Sequence, residues 1–286
     1  MIIPMGDLLA KAKKEGYGVP APNCFNRESI EACFLAAKEL HAPVILDVAY
    51  VHGLEECGAI ARFYEHKYPE IPVALNLDHG RDFKSAILAI RSGFSSVMVD
   101  RSEKPYAENV SEVKEIVKIA HTLGVSVEAE LGHVGQGYEY EQTRDAGLTH
   151  PDEAAGFVEE TEIDCLAVAV GTSHGQYKGT PHIDFDRLSQ IAKRVSLPLV
   201  LHGGSGTGDE NLAKSIHSGI QKVNLFTDLS MAGMRAMDQG LHGATSNVGD
   251  GEFACKNLSD AINAGMIGYR EKLMHYMKLF GAEGRW

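Results

Sequence analysis

The chain has no excess of basic residues: 27 Lys and Arg stand against 39 Asp and Glu, a formal net charge of −12. Nucleic acids and anionic membrane surfaces both reward positive charge, so neither is expected as a general partner. No apolar run approaches the roughly 20 residues that cross a bilayer. The opening MIIPMGDLLAKAKKEG lacks the basic segment and apolar core of a secretory signal, and the expected setting is cytoplasmic. Cysteine is sparse and odd in number. Cys24, Cys33, Cys57, Cys165 and Cys255 form no CxxC pair and read as reduced, mostly buried thiols. A metal site must then be built from histidine and carboxylates. Also missing are a low-complexity tract and a proline-rich linker, so residues 1–286 read as one domain. No GxGxxG follows the first apolar run, which removes the main sequence reason to expect a dinucleotide fold.

What is present is an alternation. Apolar runs stand at 17–23 (YGVPAPN), 43–49 (PVILDVA), 72–78 (PVALNLD), 95–100 (SSVMVD), 125–131 (VSVEAEL), 165–171 (CLAVAVG), 197–203 (LPLVLHG) and 222–228 (KVNLFTD). Most are near-continuous Val, Ile and Leu, the pattern of parallel strands covered on both faces. Between them lie segments of helical period such as RESIEACFLAAKELH and ENVSEVKEIVKIAHTLG, the latter stopping at a glycine. Eight strands alternating with helices predict an α/β fold, a closed (β/α)8 barrel, with an open doubly wound sheet as the alternative. Residues 229–286 carry no strand signal. The helical LSDAINAGMIGYREKLMHYMKLFG there predicts an extension that covers the barrel or packs on a neighbouring subunit.

Chemistry in such barrels sits at the C-terminal ends of the strands. The last positions of the predicted strands collect Asn23, Asp78, His79, Asp100, Glu130, His174, His202 and Asn224. One histidine at a strand end is ordinarily a hydrogen-bonding residue. Three from different strands of one barrel converge, and three neutral imidazoles with an open fourth position suit catalytic zinc. Asp78 beside His79 fits a general acid–base next to that metal. The glycine-flanked segments GTSHGQYKG and HGGSGT, with Lys178, Ser205 and Thr207, offer an anion cradle suited to phosphate.

The segments LNLDHG, VEAELG, VGTSHGQYKG, LVLHGGSG and KVNLFTDL follow one another in the order and spacing of class II fructose- and tagatose-bisphosphate aldolases, and YGVPAPNCFN and VMVDRSEKPYAENV are similar to that family too. The likeness runs from about residue 5 to 230. It implies that His79, His174 and His202 ligate zinc, that Asp78 handles the proton of the hydroxyl or aldehyde oxygen, and that Asp100 and Glu130 border a second metal position. It further implies that Gly175, Lys178, Gly203, Ser205 and Thr227 bind the phosphate of dihydroxyacetone phosphate and an activating monovalent cation (Na+ or K+). Asn224 would hold the enediolate and Asn23 the substrate hydroxyls. The base that takes the carbon-bound proton would sit in GHVGQGYEYEQTRDAG, as Glu139 with Glu141 in reserve. A homodimer or homotetramer acting on a small phosphorylated sugar is the implied assembly.

Three positions depart from that family pattern. Phe226 stands beside the phosphate site where relatives carry Asp, Asn or Ala. Ala49 replaces a pocket Ser or Thr, and Met274 falls where an arginine serves the distal phosphate, with Arg270 and Arg285 as substitutes. These departures raise the expectation of an aldehyde partner without phosphate. Two other readings stay open: another metal-dependent barrel enzyme of phosphosugars, a hydrolase or isomerase, and a non-catalytic binding protein descended from an aldolase.

Overall fold

The structure, a computed structural model, describes residues 1–139, 145, 147–242 and 255–286. All eight predicted strands form: β1 (Val19–Pro22), β2 (Val44–Ala49), β3 (Val73–Gly80), β4 (Ser96–Val99), β5 (Ser126–Leu131), β7 (Cys165–Val168), β9 (Leu199–Leu201) and β10 (Ile220–Leu225). Neighbouring strands pair in parallel in the order β1-β10-β9-β7-β5-β4-β3-β2. The two ends of this sheet meet where Asn23 bridges Asp47 and the Cys24 amide donates to the Asp47 carbonyl at 2.7 Å. That junction turns the sheet into a (β/α)8 barrel and sets aside the open-sheet alternative. Two short strands that periodicity could not reveal, β6 (Gly135–Gln136) and β8 (Ser173–His174), pair with each other above the barrel.

Local chemistry sets the helix ends. Asn26 and Ser29 exchange side-chain and backbone hydrogen bonds at the start of Arg27–Leu40, and Asp82 and Ser85 do the same before Phe83–Arg91. Each such capping box satisfies amides that the first turn leaves free. The predicted C-terminal segment is a helix over Leu258–Leu279. It packs on the barrel's own helices Thr227–His242 and Arg27–Leu40. The crossing is close because Gly233 faces Gly265; a Cβ on Gly233 would come within 3.0 Å of the Gly265 carbonyl oxygen. From this helix Tyr269 donates to the Asn23 carbonyl at 2.8 Å, so the extension braces the end of β1 at the mouth of the barrel. Among the described residues no helix is long and apolar enough to cross a membrane.

Candidate active site

At the C-terminal mouth of the barrel a cavity of about 360 Å³ is lined by Asn23, Asp78, His79, His174, Gly175, His202, Gly203, Ser205, Asn224 and Thr227, together with Ala49, His52 and Phe226. The first ten are residues singled out from the sequence. They arrive on β3, β8 and β10 and on the residues that follow β1, β8, β9 and β10.

Asp78 and His79 are chain neighbours, and in a regular strand they would face opposite sides. The register of β3 on β4 slips between Leu77 and Gly80, and His79 takes the left-handed conformation with φ of 48°. Such a backbone costs about 1–3 kcal/mol in a non-glycine residue and is retained where surroundings over-determine it. Here it brings both side chains into one cavity. His174 comes from β8, whose pairing with β6 fixes its backbone. Gly203 lets the loop after β9 pass beneath it: a Cβ there would stand 2.3 Å from the Ser173 carbonyl oxygen. Tyr177, which the sequence did not mark, ties the two loops by accepting from the Ser173 amide at 2.8 Å and donating to the Gly203 carbonyl at 3.0 Å.

The three imidazoles converge. Ring centroids of His79 lie 4.9 Å from His174 and 4.7 Å from His202, and those of His174 and His202 are 5.7 Å apart. One ring nitrogen from each lies within 4.8 Å of the others. His79 engages Asp100 through Nδ1 at 2.7 Å, and His202 engages Glu128 through Nε2 at 2.9 Å, so each keeps its other nitrogen for the cavity side. Nε2 of His174 is buried and meets no partner among the described residues. Burial, followed by the neighbouring His79 and His202, pushes the His174 pKa down to about 3, so this ring is neutral. Burial lowers the His79 pKa, but Asp78 and Asp100 outweigh it and raise it to about 10, so that ring carries a proton a cation would displace. Two imidazoles held by carboxylates at their far nitrogens, beside a neutral third, fit a divalent metal such as zinc. His79, Asp100 and Glu130 form a second, overlapping donor set. Burial, then the charge of Asp100, raises the Glu130 pKa to about 8, and its Oε2 has no partner among the described residues, an arrangement a cation would relieve.

Asp78 accepts from the amide of Asn23 at 2.7 Å and from that of Asn224 at 3.1 Å. Burial opposes its charge, but His79, His202, Lys222 and the Asn23 amide outweigh burial and hold its pKa near 2. It is therefore a carboxylate at neutral pH. At the other end of the cavity Ser205 Oγ accepts from the amides of Phe226 and Asp228, both at 3.2 Å, which fixes the start of the helix Thr227–His242 at the cavity wall. A helix N-terminus with glycine-lined approaches favours an anion.

Four predicted residues do not line the cavity: Asp100 and Glu130, which gather at His79, and Lys178 and Glu139. Lys178 is exposed, its loop anchored by its own amide on the Gly137 carbonyl at 2.9 Å. Glu139 is exposed at the end of the turn Gly137–Glu139, and Glu141 lies outside the described residues. Sequence reasoning also missed a buried polar layer below the mouth, Asp47, Asn76, Glu128 and Lys222, and the aromatic cluster of Phe25, His52 and Phe226.

A barrel whose mouth carries three converging imidazoles, an ionised carboxylate and an anion-favouring end has the donor set of a metal-assisted enzyme of phosphorylated substrates. The family model described as fructose-bisphosphate aldolase class-II matches residues 3–285. The chain belongs to that family and is an aldolase, a lyase of carbohydrate metabolism. It is 40% identical to the fructose-bisphosphate aldolase of Helicobacter pylori (strain J99) over 263 residues, 81% of this chain and 85% of that one. With the fructose-bisphosphate aldolase of Thermus caldophilus it shares 40% identity over 314 aligned positions that cover both chains fully. The crystal structure of the YdjI aldolase from Escherichia coli K12 superposes with a TM-score of 0.85 at 30% identity, covering 99% of each chain.

Proposed function

We propose that this protein is a zinc-dependent aldolase that reversibly cleaves a ketose phosphate or bisphosphate of the fructose or tagatose type into dihydroxyacetone phosphate and an aldehyde. The observation that carries this reading is the buried Nε2 of His174, without a partner among the described residues, gathered with two carboxylate-held imidazoles beside ionised Asp78. His79, His174 and His202 would hold the zinc, with Asp100 and Glu130 as its second position. Zinc bound there supplies a Lewis acid that polarises the substrate carbonyl and stabilises developing negative charge. Gly175, Gly203, Ser205 and Thr227 bind the phosphate, a role that Lys178 joins from its loop together with a monovalent cation. In cleavage Asp78 takes the proton from the substrate hydroxyl as the carbon–carbon bond breaks; in condensation it returns that proton to the new alkoxide oxygen. Asn224 and Asn23 orient the oxygens that flank the breaking bond. Glu139 removes the carbon-bound proton of dihydroxyacetone phosphate when its loop closes, and closure also excludes water. We read the chain as a single cytoplasmic domain, in keeping with its free thiols, four of them buried, and as a homodimer or homotetramer.

The test avoids the aldehyde. Incubated with dihydroxyacetone phosphate in heavy water, the zinc-loaded protein is expected to exchange one carbon-bound proton, followed by NMR. A chelator should stop the exchange and added zinc restore it. No exchange in verified zinc-loaded protein would remove the aldolase mechanism and favour the non-catalytic reading.

A second observation bears on the aldehyde. Phe226 lines the cavity and meets Phe25 at 6.1 Å and His52 at 6.3 Å between ring centroids, while Ala49 and His52 complete that wall. Met274 packs against the core, and Arg285 reaches Glu15 at 3.6 Å, at the barrel's opposite end. An aromatic wall stacks on the C–H face of an uncharged polyol better than it holds a phosphate. We therefore expect kcat/KM to favour unphosphorylated aldehydes, and Phe226→Asp to lose about tenfold on them, one good apolar contact. A strong preference of the wild type for glyceraldehyde 3-phosphate would sink the idea.

A further inference from the structure

Below the mouth, the barrel interior departs from the apolar filling that such folds ordinarily use. Lys222 on β10 is fully buried, with Nζ 2.7 Å from Glu128 Oε2 on β5 and 3.1 Å from Asp47 Oδ2 on β2. Asp47 is held in turn by the Asn76 amide at 2.8 Å. Glu128 turns its second oxygen, Oε1, to Nε2 of His202 at 2.9 Å. His202 is itself fully buried, and its Nδ1 faces the Asn224 amide at 3.3 Å on the cavity side.

We propose that Lys222 is a positioning residue for the metal site, acting through Glu128 to decide which nitrogen of His202 is presented to the cavity. The inference rests on the reading that the three imidazoles hold zinc, and adds a residue that touches neither metal nor substrate. The geometry makes the case. Glu128 is a mid-strand carboxylate with two oxygens, and either could face either partner if nothing distinguished them. Lys222 Nζ pins one oxygen, and Asp47 on the far side pins Lys222. The remaining oxygen has one direction left, toward Nε2 of His202. An acceptor at Nε2 requires the N–H there, which places the free lone pair on Nδ1. Partners behind a ligating histidine set its tautomer and orientation in this way, and losing one typically costs 10–100-fold in metal affinity or activity. An ion cluster in this position is otherwise a poor stabiliser, because taking its charges from water is costly and well-packed apolar residues often do as well. A purely space-filling layer had cheaper solutions.

The experiment measures zinc affinity directly, by competition with a chromogenic chelator, alongside circular dichroism. Wild type establishes the stoichiometry; its failure to bind zinc at the three histidines would sink the zinc reading itself. Given wild-type binding, Lys222→Met is expected to weaken zinc by about 10–100-fold and Glu128→Gln by a similar factor. The pair should be non-additive, since both act on one contact. Lys222→Arg, which keeps the positive charge, should recover part of the loss. A lowered melting temperature with unchanged zinc affinity would assign Lys222 a structural role only and overturn the proposal. Should Lys222→Met fail to fold, Lys222→Met/Asp47→Asn removes the carboxylate left unpaired and is read in the same way. A crystal structure of the zinc-loaded wild type decides the matter without any variant: ligation through Nδ1 of His202 with Glu128 on Nε2 is expected, and ligation through Nε2 would overturn it.

Discussion

Replacing Asp78 with asparagine should lower kcat for cleavage by about 10²–10⁴-fold, the usual worth of a positioned acid–base group. The expectation follows from where the carboxylate sits and from what holds it. Both oxygens accept amide hydrogens, from Asn23 and Asn224, and Nε2 of His79 is 3.9 Å away. Asparagine preserves the shape but cannot accept a proton, and one of its two ends would turn an NH2 toward a donor. No metal-holding nitrogen is removed, so zinc content should stay at the wild-type level. The informative comparison is with proton exchange on dihydroxyacetone phosphate, which needs no proton on the aldehyde oxygen. Exchange should fall much less than cleavage if Asp78 acts at that oxygen. Equal losses in both would place Asp78 at the carbon-bound proton instead, and a kcat near wild type would deny it any role in proton transfer.

The strands were legible because parallel strands buried on both faces are written as apolar runs, and all eight are recovered within a few residues. The residues at their ends were legible because chemistry collects there. What was missed lies two residues earlier. Asp47 precedes Ala49, Asn76 precedes Asp78, Glu128 precedes Glu130 and Lys222 precedes Asn224. Side chains two apart on a strand share a face. The same period that located the mouth of the site therefore carried the layer beneath it, as polar residues two positions earlier inside VILDVA, VALNLD, VEAEL and KVNL. Other features had no such signal. The left-handed turn at His79 depends on the slipped register of β3 on β4, and the meeting of Phe25, His52 and Phe226 joins three loops separated by up to two hundred positions. The reach of Lys178 is likewise a matter of loop geometry. Its type fitted a phosphate contact, yet its side chain lies outside the cavity lining.

The largest effect belongs to His174. Truncation to alanine should abolish tight zinc binding and lower cleavage by about 10³-fold or more, the equivalent of the several kcal/mol that a Lewis acid contributes to charge stabilisation. The same variant should not weaken the fold when zinc is withheld. His174 is placed by the pairing of β8 with β6, which is made of backbone alone, and its ring is buried at Nε2 without a hydrogen-bond partner among the described residues. Leaving a polar atom in that condition costs about 1–3 kcal/mol, and the alanine variant no longer bears it. Removing the ring enlarges a cavity that already exists, so little packing is lost against this gain. In chelator, then, the variant should melt no lower than wild type. In excess zinc the order should reverse, because only the wild type gains the linkage term, about 2.7 kcal/mol when free zinc is a hundredfold above Kd. A variant that melts far below wild type in chelator would show that His174 serves the fold. A variant that still binds zinc tightly would show that the metal is held elsewhere, with His79, Asp100 and Glu130 the first place to look.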